Sequence, residues 1–220
     1  MEENYTQPIK NPSKLFAGIL EILESLAYAI AIVVLVFVFF GRVSVVDGAS
    51  MNNTLENKEF LFVTNPFFSY KPENGDIVVI HGDFDKPNDV YNVPLVKRVI
   101  ATENQTLVID FLKQTISING GEAVKEDYAI YVDPYGRQLN EEYIRYYLNQ
   151  LFEKYGHSDI DYNSETCVCT VTVPEDHVFV MGDNRLNSAD SRIFGFVHED
   201  YIVGKAVTRL LPINKLGGIE

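Results

Sequence analysis

The sequence has little cysteine and a shortage of positive charge. Two cysteines in 220 residues are too few for a disulfide scaffold or a four-ligand zinc site. The 18 lysines and arginines are outnumbered by 31 aspartates and glutamates, which gives a formal charge of −13. A field of that sign repels a phosphate backbone, so the composition argues against a nucleic-acid partner. Because 46% of the residues are apolar, a long disordered chain is also excluded.

A long apolar run does occur near the N-terminus. Residues 25–40 carry no charge, and the preceding residues are mostly apolar apart from Glu21 and Glu24. A helix needs about 20 residues to cross the hydrocarbon layer of a membrane. We therefore predict a transmembrane helix over 15–40. The alternatives are a cleaved signal peptide, which the nearby Arg42 and the lack of an Ala-x-Ala site disfavour, and a buried core helix.

The charges beside this run predict its orientation. Lys10 and Lys14 precede the run and only Arg42 follows it closely, which favours a cytoplasmic segment 1–14. The remaining domain, 41–220, would then lie outside with a net charge of −11. No second apolar run of comparable length follows, so the predicted organisation is one anchor and one exported domain.

The body of the chain reads as mainly β. Short runs rich in Val, Ile and Phe, bounded by turn residues, predict strands. These runs are 60–63, 76–80, 95–101, 106–110, 115–118, 167–173, 177–182 and 201–207. Only residues 141–155 have helical spacing, inside a tyrosine-rich insertion at about 120–165. The predicted fold is a transmembrane helix followed by an antiparallel sheet or barrel-like domain with a small helical insertion.

Three polar clusters hold the candidate catalytic residues. Residues 45–55 contain Ser50, residues 94–101 contain Lys97 in an apolar strand, and residues 181–197 form a dense polar loop. A serine needs a base to become a nucleophile, and none of the four histidines lies in a recognisable triad setting. A lysine can serve once desolvation lowers its pKa towards about 7–8. By pattern alone, a solvent-facing lysine, an ordinary serine and a turn held by ion pairs are the favoured interpretations.

In this order, behind one N-terminal span, the three clusters resemble bacterial type I signal peptidases. The matching residues are Ser50-Met51, Lys97-Arg98, Gly182-Asp183-Asn184-Arg185, Ser188, Asp190-Ser191-Arg192 and Gly195. The resemblance covers about residues 15–110 and 165–212, so the insertion lies outside it. A eukaryotic-type subunit would have histidine at the position of Lys97, and many Gram-positive-like members have glycine at the position of Gly48. The resemblance therefore implies a bacterial, Gram-positive-like member.

The resemblance implies a serine endopeptidase that works through an acyl-enzyme, without metal or cofactor. Ser50 would be the nucleophile, Lys97 the general base, and Ser188 would hydrogen-bond the lysine amine. Structural support of the site is implied for Gly48, Arg98, Gly182, Asp183, Asp190 and Arg192. Some members have a serine at the position of Gly48, and its hydroxyl is a second donor to the oxyanion. Here the Ser50 N–H would meet the oxyanion, and the second donor is not assigned.

The resemblance also implies the substrate and the location. Secretory preproteins with small residues at the first and third positions before the cut would be cleaved near the translocon, by an enzyme anchored in the bilayer of the bacterial cell membrane. The expected pocket residues are Val46, Met51, Leu55, Leu95 and Val96, for which ordinary core packing is the alternative.

Four features stand beside this interpretation. Asn53 replaces a usual proline, and residues 101–104 replace a usual Pro-Gly-Asp turn, so looser turns are expected near the site. Phe67 and Phe68 are hypothesised to touch the lipid surface, with core burial as the alternative. Cys167 and Cys169 are predicted to lie on one side of a strand as packed thiols, with a redox pair as the minority interpretation.

Two further functions are weighed against the peptidase. An inactive relative acting as a binding or assembly protein would have lost a member of the Ser–Lys pair, and both members are present here. A self-cleaving Ser–Lys regulator of the LexA type would lack the membrane span and would bring a DNA-binding module.

Overall fold

Helix α1, Pro12–Phe40, contains the long apolar run. Its stretch Phe16–Phe40 has a mean hydropathy of 2.6 and buries none of its residues within the protein. At about 1.5 Å per residue, these 25 residues exceed the roughly 30 Å thickness of the hydrocarbon layer. By length and composition, the helix is consistent with a membrane anchor.

The rest of the chain forms a second compact unit, Gly41–Glu220. The computed structural model describes residues 12–64, 70–81, 93–133, 135–156 and 158–219 of the chain. The strands are β1 Gly41–Val45, β2 Phe60–Thr64, β3 Ile77–Ile80, β4 Leu95–Ala101, β5 Thr106–Asp110, β6 Thr115–Ile118, β7 Val124–Lys125, β8 Asp161–Asn163, β9 Val168–Thr172, β10 His177–Met181, β11 Val197–His198, β12 Ile202–Leu211 and β13 Gly217–Gly218. The helices are α2 Glu141–Tyr155 and α3 Ser191–Phe194, with single 3-10 turns at Glu199–Tyr201 and Ile213–Lys215.

The strands form two antiparallel sheets. The larger has the order β1-β2-β12-β3-β4-β10-β11, with β13 paired to β12, and the smaller has the order β7-β6-β5-β9-β8. The predicted mainly β fold with a small helix is confirmed, and each predicted strand occurs within two residues at its start. β12 extends to Leu211, four residues beyond its predicted end, and β1, β7, β8, β11 and β13 were not predicted.

The insertion is part of the core rather than an appendage. α2 starts at the N-cap Asn140, whose side chain accepts a hydrogen bond from Tyr143 N at 2.9 Å. Its apolar face buries Ile144 and Leu148 in the same cluster as Phe111 and Phe179 from the body of the chain. Since these side chains share one core, the insertion folds with the sheets.

Two smaller expectations meet different outcomes. Phe67 and Phe68 lie outside the described residues. Cys167 and Cys169 are both free and buried, but Cys167 precedes β9 in a turn with a φ of 56°, so only Cys169 lies on the strand.

Both turns at the departures from the family pattern are closed by a backbone hydrogen bond. After β4, Gln105 N donates to Thr102 O at 3.2 Å, which closes the turn into β5. Around Asn53, Leu55 N donates to Met51 O at 2.8 Å, so this turn is closed as well.

Candidate active site

Ser50 lies on the loop that joins β1 to β2, residues 46–59, here called the nucleophile loop. Two backbone hydrogen bonds close its base, Val46 N to Glu59 O at 2.9 Å and Lys58 N to Val46 O at 2.8 Å. Gly48 has a φ of +97°, a left-handed conformation that favours glycine, and its N–H donates to Asn57 Oδ1 at 3.1 Å. The loop therefore presents Ser50 from a closed base rather than from a free end.

Lys97 lies in β4, between β3 and β10 in the larger sheet, and is only 2% exposed. Its Nζ is 2.9 Å from Ser50 Oγ and donates to Val96 O at 3.1 Å. Burial lowers the pKa of Lys97 to about 8, because desolvation disfavours the ammonium more than Asp190 and Asp183 favour it. A lysine with this pKa is partly neutral near pH 8, so its amine can accept a proton from Ser50.

Arg98 connects β4 to the polar loop. Strand alternation directs its side chain to the face opposite Lys97. Its Nε and Nη2 donate to Asp183 Oδ1 and Oδ2 at 2.9 and 2.8 Å, and both side chains are buried. Thr54 of the nucleophile loop donates to the same carboxylate at 2.5 Å, and the Tyr128 ring lies 3.9 Å from the guanidinium. This ion pair therefore holds strand, polar loop and nucleophile loop together.

Asp190 and Arg192 form a second buried ion pair, with Nε to Oδ1 and Nη2 to Oδ2 both at 2.8 Å. Burial raises the pKa of Asp190, but Arg192 and the N–H of Gly182 outweigh burial and leave it below its ordinary value. Gly182 N donates to Asp190 Oδ2 at 3.0 Å. Asp190 therefore connects Arg192 with Gly182, near the start of the polar loop.

The polar loop contacts the nucleophile segment directly. Asn184 N donates to Ser50 O at 2.9 Å, and Asn184 Nδ2 donates to Ala49 O at 3.2 Å. At Gly182, an added Cβ would lie 2.5 Å from Ser50 O and would also collide with the Ser188 side chain. Only glycine allows this approach, which explains the requirement for that residue in the motif.

Ser188 is placed differently from the expectation. Lys97 Nζ has two acceptors among the described residues, Ser50 Oγ and Val96 O, and Ser188 Oγ is not one of them. The Ser188 side chain is instead buried above Gly182, and its hydroxyl contributes to the lowered pKa of Asp190. The expected hydrogen bond to Lys97 is therefore not seen, and the buried Ser188 Oγ has no hydrogen-bond partner among the described residues.

The five expected pocket residues divide between two clusters. Val46, Met51 and Leu55 of the nucleophile loop are buried with Val96 of β4 in one hydrophobic cluster. Leu95 is half-buried and packs on a different cluster, since adjacent residues of β4 point to opposite faces. Four of the five thus share one environment, and Leu95 does not join them.

Sequence reasoning missed the contribution of the insertion to this site. Arg185 is 1% exposed, and its Nη1 and Nη2 donate to Glu126 Oε2 and Oε1 at 2.5 and 2.7 Å. Backbone bonds of 2.9 Å run from Ile130 N to Asp183 O and from Arg185 N to Ile130 O. The only signal for Glu126 was indirect: a buried arginine requires a carboxylate partner. No spacing rule connects residues 59 positions apart.

Glu126→Gln is expected to destabilise the protein by about 3–5 kcal/mol, because it leaves the Arg185 charge buried without a counter-charge. The free energy of unfolding in denaturant measures this change. Glu122→Gln, at an exposed position of the same insertion, is the matched control and should change it by less than about 0.5 kcal/mol. Equal effects of the two substitutions would contradict a supporting role of the buried pair.

No cluster of three or more His, Cys, Asp or Glu side chains suited to a metal ion occurs among the residues that the structure describes.

Comparison with known proteins identifies the family to which the chain belongs. The sequence model of one family, described as "Signal peptidase, peptidase S26", matches residues 19–211. The chain belongs to this family of serine peptidases. Curated relatives include signal peptidase I T of Bacillus subtilis (strain 168), 32% identical over 98% of this chain and 97% of its own, and signal peptidase I of Bacillus caldolyticus, 30% identical over 85% and 88%. The chain is thus a type I signal peptidase.

One solved structure is also similar, a signal peptidase I from Enterococcus faecalis. It is 25% identical, with a TM-score of 0.39, over 63% of this chain and 98% of that chain.

Proposed function

We propose that this peptidase removes signal peptides from secretory preproteins with Ser50 as nucleophile and Lys97 as general base. The observation that carries the proposal is the 2.9 Å distance from Lys97 Nζ to Ser50 Oγ, with Lys97 almost fully buried. The distance is short enough for direct proton transfer, and burial supplies the neutral amine that the transfer needs. An inactive relative is not favoured, since both members of the pair are present and in contact.

The proposed reaction has two stages. Neutral Lys97 takes the Ser50 hydroxyl proton as Oγ attacks the scissile carbonyl carbon, and the ammonium then protonates the leaving amine. The mature protein leaves, and the signal peptide stays as an ester on Ser50. In the second stage Lys97 deprotonates a water molecule, which attacks the ester carbonyl, and the lysine proton returns to Ser50 Oγ. The Ser50 N–H is the proposed donor to the oxyanion in both stages.

The supporting residues are proposed to hold this geometry rather than to exchange protons. Arg98 with Asp183 and Arg192 with Asp190 fix the polar loop, and the glycines allow the close approach of backbones. The residues proposed for this support are Gly48, Arg98, Gly182, Asp183, Asp190 and Arg192. Ser188 is proposed to act through Asp190. Its hydroxyl helps to lower the pKa of that carboxylate, and the charge of Asp190 in turn favours the ammonium form of Lys97.

The substrate proposal is that small residues occupy the first and third positions before the cut. Val46, Met51, Leu55 and Val96 form a shared apolar cluster next to Ser50, which is chemically suited to short side chains. Leu95 is proposed to contribute only from the opposite face of β4.

We also propose that α1 anchors the enzyme with 1–14 in the cytoplasm and 41–220 outside. Anchoring raises the effective concentration of the site near membrane-bound signal peptides, and proximity to the translocon would add to this effect.

The experiment that tests the proposal is covalent trapping on the full chain in lipid vesicles. A peptide with Ala at the first and third positions before the cut is mixed with excess enzyme, quenched in acid and digested with trypsin. The tryptic peptide 43–58, which holds Ser50, is expected to gain the mass of the acyl fragment of the substrate.

A substrate with Phe at both positions is the matched control and should give no adduct. Cleavage of the Ala substrate through an adduct on another residue, or without any dependence on Ser50, would refute the proposed pair.

A further inference from the structure

Arg209, which lies outside the three motif clusters, contacts the nucleophile loop. Resting on the proposed function, we propose that Arg209 of β12 is a positioning residue that holds the nucleophile loop for the attack by Ser50. Arg209 touches neither Ser50 nor Lys97 in any recorded hydrogen bond or ion pair of the described residues, so its effect would act through the loop.

The Arg209 guanidinium bridges two points of the nucleophile loop. Its Nη2 donates to Thr54 O at 2.5 Å. Its Nε lies 2.7 Å from Glu59 Oε2, not aligned for a hydrogen bond but close enough for strong charge attraction. The Arg209 side chain is 16% exposed and that of Glu59 is 3% exposed, so water screens this pair weakly. A planar guanidinium reaches both partners at once, which a single ammonium cannot do.

Thr54 transmits this contact towards the catalytic pair. It lies four residues after Ser50, and its hydroxyl donates to Asp183 Oδ2 at 2.5 Å. The Thr54 carbonyl is therefore held by Arg209 while its hydroxyl is held by the Arg98–Asp183 ion pair. The hydrogen bond from Leu55 N to Met51 O, 2.8 Å, makes the intervening turn a closed unit. A shift at Thr54 would consequently move Ser50.

The chain beyond β12 adds to the same contact. It turns back after Arg209 so that Gly217 pairs with Arg209 in the ladder of β12 and β13. Ile219 then packs against the hydrophobic cluster that contains Met51 and Leu55. Lys215 Nζ also lies 2.7 Å from Glu56 Oε1 of the nucleophile loop. The loop is thus held on one side by the polar loop and on the other by residues 209–219.

Proton transfer requires Ser50 Oγ to stay within hydrogen-bond distance of Lys97 Nζ. A misplacement of about 1 Å can cost about 10²-fold in rate, whereas substrate binding by other parts of the site is unaffected. Loss of Arg209 should therefore slow acylation without weakening substrate binding.

The test compares Arg209→Met and Arg209→Lys with the wild-type full chain in lipid vesicles. The rate of acyl-Ser50 formation in a single turnover is measured together with KM, at a temperature where circular dichroism shows each variant folded. Arg209→Met is expected to slow acylation by about 10- to 100-fold with KM within about threefold. Arg209→Lys keeps a charge for Glu59 but loses the simultaneous contact with Thr54 O, so its rate should fall between the other two.

Lys205→Met is the matched control. Lys205 lies on the same strand and pairs with the nearly buried carboxylate of Asp76, away from the nucleophile loop. The acylation rate of Lys205→Met should stay within about twofold of wild type. The loss of this ion pair destabilises the fold in general but does not move Ser50 in the folded protein.

Three results would overturn the positioning role: an Arg209→Met rate within twofold of wild type, an equal loss in Lys205→Met, or a raised KM with unchanged acylation. If Arg209→Met does not fold, the Arg209→Lys rate decides, and a wild-type value refutes the role. A wild-type enzyme that forms no Ser50 adduct instead refutes the proposed function, and this proposal with it. If the wild-type enzyme forms the Ser50 adduct and the Arg209 variants form it at the same rate, only the positioning role is refuted.

Discussion

Ser50→Ala is expected to lower kcat/KM by about 10³-fold or more, because it removes the atom that attacks the substrate carbonyl. The residual rate would come from substrate binding and the oxyanion donor alone. The recorded side-chain contact of Ser50 is the one with Lys97, and the residue is only half-buried, so the free energy of unfolding should change by less than about 1 kcal/mol. Cleavage of an Ala-x-Ala peptide by the full chain and denaturant unfolding measure the two quantities.

Ser44→Ala is the control for this substitution. Ser44 is a half-buried serine on β1, outside the nucleophile loop, and its replacement should leave kcat/KM within about twofold of wild type. Cleavage by Ser50→Ala at more than about a tenth of the wild-type rate would mean that another residue attacks the substrate.

Lys97→Met is expected to lower kcat/KM to about the level of Ser50→Ala. Methionine fills a similar volume but offers no base, and residues that act as a unit lose activity together. The double substitution should therefore be no worse than either single one. In the wild type, the acylation rate should rise with pH through about 8, the pKa of Lys97, as the fraction of neutral amine grows. A double variant slower than both single variants by the product of their effects would contradict a shared function.

Although Lys97→Met is expected to lower activity, it is expected to raise the free energy of unfolding near neutral pH. Burial lowers the pKa of Lys97 from 10.5 to about 8, so between these pH values the unfolded chain binds more protons than the folded one. The contribution of Lys97 to the free energy of unfolding of the wild type therefore rises as the pH increases from about 8 to 10.5. This contribution is lowest below pH 8. Lys97→Met lacks this penalty, so its stability advantage over wild type should shrink by about 3 kcal/mol across that range.

Denaturant unfolding of both proteins at pH 7 and pH 10.5 measures this difference. The exposed Lys71→Met is the control, and its difference from wild type should be nearly independent of pH. A constant difference for Lys97→Met would show that folding does not lower the pKa of Lys97.

Much of the fold was readable from local pattern. The strands that were predicted are short apolar runs between turn residues, so their positions follow from composition over a few residues. β1 was missed because Gly41–Val45 directly follows the apolar helix and no turn residue marks its start. β7, β11 and β13 have two residues each, too few for any periodicity to show.

The candidate site was predictable only where residue type and short spacing carry the chemistry. Ser50, Lys97 and the polar loop were found because their motifs are dense. Glu126 and Arg209 were missed because each reaches its partner by tertiary folding across 59 and 155 residues. The orientation of Ser188 could not be predicted either, since a rotamer next to a buried carboxylate depends on packing that the sequence does not display.

The position of β12 has a consequence for the order in which the larger sheet assembles. β12, Ile202–Leu211, lies between β2, which follows Ser50, and β3, which pairs with the strand of Lys97. Residues near the end of the chain are therefore needed to join two hairpins that were synthesised long before. Such non-local pairing is slow compared with local contacts. The hairpin that precedes β3 and holds the nucleophile loop, and the hairpin that carries Lys97, are thus joined late in folding, when β12 pairs with both.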